Sequence, residues 1–89
     1  MLGADLTDAN LSKADLSGAK LDRTRLARAN FSGANLAGAD LSRAVLRGAN
    51  LAGANLEDAD LNGADFAGAQ GISGALGLEK ARNRDKATF

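Results

Sequence analysis

Residues 4–68 predict an all-β solenoid, and three observations predict it. A five-residue unit recurs thirteen times without a slip, from Ala4-Asp5-Leu6-Thr7-Asp8 to Ala64-Asp65-Phe66-Ala67-Gly68. The period matches neither regular element: five helical residues turn roughly 500°, so the large residue would drift round a helix. In an unbroken strand an odd period sends successive large residues to opposite faces. The last position of the unit is Gly in seven repeats and charged in the other six, and Gly supplies positive φ at low steric cost, as a corner requires. A chain that runs extended for about three residues and turns over the next two satisfies all three observations.

Each position then has a physical role. The unit opens on Ala in twelve repeats, with Thr24 the exception, and its central residue is Leu in eleven, with Phe31 and Phe66 in the others. Residues two apart on extended chain face the same way, so the small and central residues both point inward. The predicted core is Leu6, Leu11, Leu16, Leu21, Leu26, Phe31, Leu36, Leu41, Leu46, Leu51, Leu56, Leu61 and Phe66. The residue between them points outward and is Asp or Asn in ten repeats, with Lys20, Arg25 and Val45 departing. Asx side chains bond neighbouring backbone and favour turns.

This A(D/N)LxG-type repeat closely resembles the pentapeptide-repeat proteins, over about residues 3–70. The resemblance implies a right-handed quadrilateral (four-sided) β-helix with one repeat per side. Four sides make residues twenty apart stack at about 4.8 Å, giving about three to four coils. Leu6/Leu26/Leu46/Phe66 becomes one inward column, and Asn10, Asn30, Asn50 and Gln70 an outward amide ladder of the kind that stabilises stacked strands. Residues 1–70 are assigned to the β-helix.

Residues 71–89 are assigned to a C-terminal capping segment with a short helix. Gly71 sits where a large central residue is due, and Ile72 comes one residue late. The stretch from about Ala75 to Asn83 reads as a weak helix that turns Leu76 and Leu78 onto the last coil, with Gly77 against it. Ala87-Thr88-Phe89 again spells small, polar, central, but Arg84 stands one period earlier where Leu is due. At the other end the repeat is in register from about Met1, and neither a helix nor Pro blunts the first coil's strand edge. Either that edge pairs with a second copy, as a homodimer or by end-to-end stacking, or the native chain is longer.

Composition narrows function. The chain has no Cys and no His, which removes disulfides and thiolate or imidazole chemistry. Eleven basic and eleven acidic residues cancel, and no Tyr or Trp is present to stack on bases, so nucleic acid is not an expected partner. No apolar run approaches the roughly 18 residues that span a bilayer, so no membrane is expected, and with no signal segment the location is cytoplasmic. A thylakoid lumen or periplasm is the alternative if a targeting segment has been removed. Outward carboxylates on a convex body lack the burial that acid–base catalysis needs; no catalytic residue, cofactor or metal site is assigned, Asp40 and Asp60 being a solvated stack. One charge feature stands out: Lys20, Arg23, Arg25, Arg28, Arg43 and Arg47 cluster within 28 residues near one corner, a candidate docking patch for an acidic protein partner. The sequence therefore predicts a non-enzymatic structural or protein-interaction module. The alternative that the resemblance brings, a DNA mimic acting on DNA gyrase, is disfavoured by the short length and zero net charge.

Overall fold

The computed structural model describes residues 3–89. Parallel β-bridges join residues twenty apart, beginning at Asp5–Arg25, Asn10–Asn30, Asp15–Asn35 and Lys20–Asp40. A five-residue side and a twenty-residue step give four sides per coil. Side 1 carries the outward residues Asp5, Arg25, Val45, Asp65 and Thr88, and side 2 carries Asn10, Asn30, Asn50 and Gln70. Side 3 carries Asp15, Asn35, Asn55 and Leu76, and side 4 carries Lys20, Asp40, Asp60 and Arg82. Each side holds a single bridge residue between turns, so little of the chain counts as continuous strand although the ladders run the length of the body.

Three backbone bonds per repeat build the wall. On side 1 the Leu26 N–H donates to the Val45 carbonyl one coil up at 2.7 Å, and the Val45 N–H donates back to the Thr24 carbonyl at 3.1 Å. The third comes from the corner residue, as in Arg28 N–H to the Arg47 carbonyl at 2.8 Å. A fourth bond closes each turn, as from the Ala29 N–H to the Leu26 carbonyl at 3.1 Å. In all thirteen repeats the last residue lies at positive φ, between 58° and 71°. That is the third position of a type II turn. Gly takes it in seven repeats; Asp8, Lys13, Arg23, Arg28, Arg43 and Asp58 hold the same conformation without being Gly.

Inside, the central residues from Leu21 to Phe66 and the small residues from Ala29 to Ala64 are buried. Thr24 is the one buried polar residue of the small column, its hydroxyl 3.5 Å from the Asp22 carbonyl. Leu6, Leu11 and Leu16 are half-buried because only the second coil covers them. The N–H groups of Asp5, Asn10 and Asp15, on the same rim, make no hydrogen bond among the described residues.

The expected helix within residues 71–89 is not formed. The coil continues instead, with bridges Asn55–Leu76, Asp60–Arg82 and Asp65–Thr88, so successive steps lengthen to 21, 22 and 23 residues. Sides 2, 3 and 4 have each gained one residue here, at Gly71, Gly77 and Asn83, all at positive φ. A single 3₁₀ turn follows each: Ile72–Gly74, Leu78–Lys80 and Arg84–Lys86. A left-handed residue every sixth position prevents an α-helix from propagating. The Leu76, Arg82 and Thr88 N–H groups are held by the Ala54, Ala59 and Ala64 carbonyls at 2.7–2.9 Å. Phe89 therefore returns to the end of the inward column, its ring stacked on Phe66 at 5.1 Å and 6° while about half of it stays exposed.

The inserted glycines are the tightest points of this coil. A Cβ on Gly71 would lie 2.6 Å from the Ala52 nitrogen, and one on Gly77 2.9 Å from the Glu57 backbone, whereas one on Gly38 meets nothing closer than 4.0 Å. Gly38→Ala incurs only the left-handed penalty, about 1–2 kcal/mol. Gly77→Ala adds a backbone collision and is expected to cost clearly more than Gly38→Ala in urea unfolding. Equal losses for the two would show that the fourth coil is not seated as described.

Candidate interaction face

All ten outward Asp and Asn residues do the same thing. The side-chain oxygen of each accepts the backbone N–H two residues on, at 3.0–3.2 Å, from Asp5 with Thr7 to Asp65 with Ala67. Where the acceptor's neighbour is Thr7, Ser12, Ser17 or Ser42, its hydroxyl donates to the same oxygen at 2.6–2.8 Å. Asx at this position is thus a turn cap. The Asn10, Asn30, Asn50 and Gln70 column stacks through its backbone bridges. Its asparagine oxygens bond along the chain, and no amide–amide bond joins successive rungs among the described residues. Lys20, Arg25 and Val45 cannot cap, so their side chains are released from this duty.

The six candidate cations are all exposed, but they fall into two groups. Arg28, at the corner between sides 1 and 2, grips Asp8 one coil down with Nε and Nη2 at 2.8 and 3.2 Å. Arg47 places Nε 2.6 Å from Asp65. These partners hold the Asp8 and Asp65 carboxyls below, and both guanidinium groups above, their ordinary values. Lys20, Arg23, Arg25 and Arg43 have no ion pair within 4.0 Å among the described residues. Arg23 and Arg43 stack at the corner between sides 4 and 1, with Lys20 on one flank and Arg25 on the other. Sequence reasoning missed a further member of that corner: Lys86, whose carbonyl accepts the Gly63 N–H at 3.1 Å one coil above Arg43's. The six-residue spacing of Ala75, Ala81 and Ala87 is the signal that would have placed it.

Side 4 is differently organised. Asp60 accepts the Asn83 amide at 2.9 Å and lies 3.6 Å from Arg82, which lowers its pKa chiefly through the Asn83 bond. Among the described residues no three carboxylates gather as a metal site. The concavities are open depressions over the fourth coil, lined by residues such as Glu79, Arg84, Asp85 and Phe89. No helix among the described residues is long and apolar enough to cross a membrane.

With sides, turns and caps defined, comparison with known proteins decides the family. A profile described as "Pentapeptide repeats (8 copies)" matches residues 1–28, 24–63 and 39–70. The chain belongs to the pentapeptide-repeat family. Membership implies a right-handed quadrilateral β-helix, and the twenty-residue bridge step is the four-sided coil this requires. A pentapeptide repeat protein from the Arabidopsis thaliana thylakoid lumen is 30% identical at TM-score 0.67, over 96% of this chain and 64% of that one. One from the cyanobacterium Cyanothece 51142 is 33% identical at TM-score 0.57, over 100% of this chain and 63% of that one. A third, from Nostoc Pcc 7120, is 31% identical at TM-score 0.53, over 96% and 79%. The chain thus spans just under two thirds of the first two structures. A comparison with curated proteins returns no match.

The capping carboxylates set the pH response. Asp5 and Asp15 titrate below their ordinary value chiefly because Thr7 and Ser17 hydroxyls bond the charged form, and Asp60 and Asp65 are lowered by Asn83 and Arg47. A folded pKa below the unfolded one contributes stability above the unfolded value, and that contribution disappears as pH falls through the folded value. Melting temperature is expected to hold from neutrality to about pH 5 and to fall below about pH 4. Asn caps the turn equally well, so replacing Asp5, Asp15, Asp60 and Asp65 by Asn should flatten that acid limb. An unchanged limb would mean that other groups control acid unfolding.

Proposed function

We propose that this solenoid is a non-enzymatic protein-binding module that presents a rigid, periodic surface to a partner. One observation carries the reading: three of five positions in each repeat are committed to wall or core, which leaves recognition to the departures from pattern. The departures that face solvent concentrate in four unpaired cations, Lys20, Arg23, Arg25 and Arg43. The open depressions at the C-terminal end bring together no buried acid–base pair, which supports a binding role over catalysis. A body of 26 × 24 × 22 Å is a block with no net charge, which gives no support to imitation of a DNA duplex. Similarity to the lumenal Arabidopsis protein favours the lumen over the cytoplasm as a place to look.

The module reading is tested by crosslinking capture in the native host, with Leu36→Lys as the control. Leu36 is fully buried, and an unpaired ammonium there should abolish the fold. A partner recovered by the native chain and lost with Leu36→Lys supports the reading; identical recovery from both would discard it.

The rim of the first coil is the second proposed contact, with another copy of the chain. Leu6, Leu11 and Leu16 are half-buried there, and the Asp5, Asn10 and Asp15 N–H groups make no hydrogen bond among the described residues. Sedimentation should show dimers at tens of micromolar, and a strict monomer would remove this contact.

A further inference from the structure

We infer that the corner between sides 4 and 1 docks an acidic α-helix of a partner protein, laid along the solenoid axis with one stripe of carboxylates facing the corner. The inference rests on the module reading and specifies the chemistry of its partner.

The corner column is Arg23, Arg43 and Gly63, and Lys86 stands above it, its carbonyl accepting the Gly63 N–H as the Ser42 and Asn62 carbonyls accept those of Arg23 and Arg43. Bridged coils rise about 4.8 Å per rung, so Arg23 and Arg43 are one rung apart and Lys86 stands two rungs above Arg43. An α-helix rises about 5.4 Å per turn, and residues at i, i+4 and i+7 or i+8 share one face. Carboxylates on successive turns therefore meet the corner at nearly its own spacing. The Arg43 stem lies against the small Gly63, whose added Cβ would lie 3.2 Å from Arg43 Cγ, so the rung above Arg43 carries no competing side chain at this corner. Lys20 and Arg25 flank the stripe on either side; none of these cations has an ion pair within 4.0 Å among the described residues, while Arg25 and Lys86 act at longer range on Asp5 and Asp60.

The backbone adds an independent argument. Arg23 and Arg43 sit at φ 58°, where the commonest residue of the repeat is Gly. A long β-carbon-bearing side chain there is strained, and neither guanidinium offsets that strain with an ion pair, as Arg28 does through Asp8. Width discriminates among polyanions. Asp22 lies in the same corner, Asp40 and Asp60 follow Lys20 up side 4, and Asp65 lies on side 1. The positive stripe is thus one corner wide, suited to a helix of about 10–12 Å diameter. A duplex carries phosphates on both strands and would press others against those carboxylates.

The test uses the full chain and three fluorescent probes at low salt. The first is an alanine-rich helical peptide of about 20 residues with glutamates on one stripe at i, i+4, i+7 and i+11. The second has the same composition with the glutamates spread around the helix, and the third is duplex DNA. The striped peptide should bind best, and Arg23→Gly with Arg43→Gly should weaken it about tenfold or more. Gly is the native solution at this corner, so the double variant should melt at or above the parent's temperature. If its melt falls, Lys20→Gln with Arg25→Gln supplies the same readout from positions without positive φ. Equal binding of the two peptides, tighter binding of DNA, no binding of the striped peptide, or indifference to the substitutions would each overturn the inference. A captured partner retained by the double variant would sink this corner while leaving the module reading intact.

Discussion

The thirteen five-residue repeats depend on a left-handed residue at every corner. With φ near 60° at the last position of each repeat, the turn closes on two residues and the side keeps a length of five. Four such sides return the chain to its starting azimuth after twenty residues, one β-spacing higher. Every other regularity is a consequence. Inward columns form because the same repeat position recurs above itself, and the wall bonds form because each bridge residue finds its counterpart directly overhead. A single corner with a wrong φ would rotate all later sides out of register, so the cost of an error is collective. Within the thirteen repeats the constraint therefore tolerates six non-Gly residues at local expense but no omission.

The fourth coil shows what happens when the corner rule is changed rather than broken. Inserting Gly71, Gly77 and Asn83 before the central residue moves the left-handed point of each of these sides from the corner to the inserted residue, and each of the three sides grows by one residue. Backbone bonds to the third coil survive, because Leu76, Arg82 and Thr88 still reach the Ala54, Ala59 and Ala64 carbonyls. The central residues Ile72 and Leu78 are only partly buried, and the fourth side presents Arg84, exposed, where a Leu would be expected. A charge at an inward-type position and a perimeter unlike the coil below both oppose addition of a further pentapeptide coil. Residues 71–89, expected to hold a short helix, thus form a modified coil.

The regular part of the fold was legible because the repeat is strict: thirteen copies with one substitution in the small column leave a single periodic reading. The tail was misread because its period is six. Ala75 to Asn83 contains Leu76 and Leu78, Glu79, Lys80 and Ala81, all compatible with a short helix by local propensity. Gly77 and Asn83 overrule that propensity, and only the Ala69, Ala75, Ala81, Ala87 spacing would have said so. The candidate face was half legible. Clustering along the chain brought the six cations into one region, but pairing with Asp8 and Asp65 depends on the twenty- and eighteen-residue neighbours across coils. The asparagine column was likewise visible as a column, while the direction of its bonds followed from turn geometry that the spacing alone does not give.

Corner chemistry then separates architecture from recognition. Among the described residues, every positive-φ residue that is neither Gly nor Asx is Lys or Arg: Lys13, Arg23, Arg28 and Arg43. Asx residues tolerate this conformation by bonding their own backbone, but a basic side chain has no such local reward. Three of the four lie beneath a Gly, with Cγ 3.2–3.4 Å from where a Cβ on Gly33, Gly48 or Gly63 would stand. A long aliphatic stem packed below a bare corner recovers some contact while its charged head stays in water. Each of these three basic corners thus has a bare corner directly above it. Among the four basic corners Arg23 is the exception, since the residue above it is Arg43, and two left-handed arginines are stacked. Packing does not account for that pair, and like charges one coil apart repel each other. An external anion removes both objections at once, by lying against the heads that the fold itself leaves unmatched.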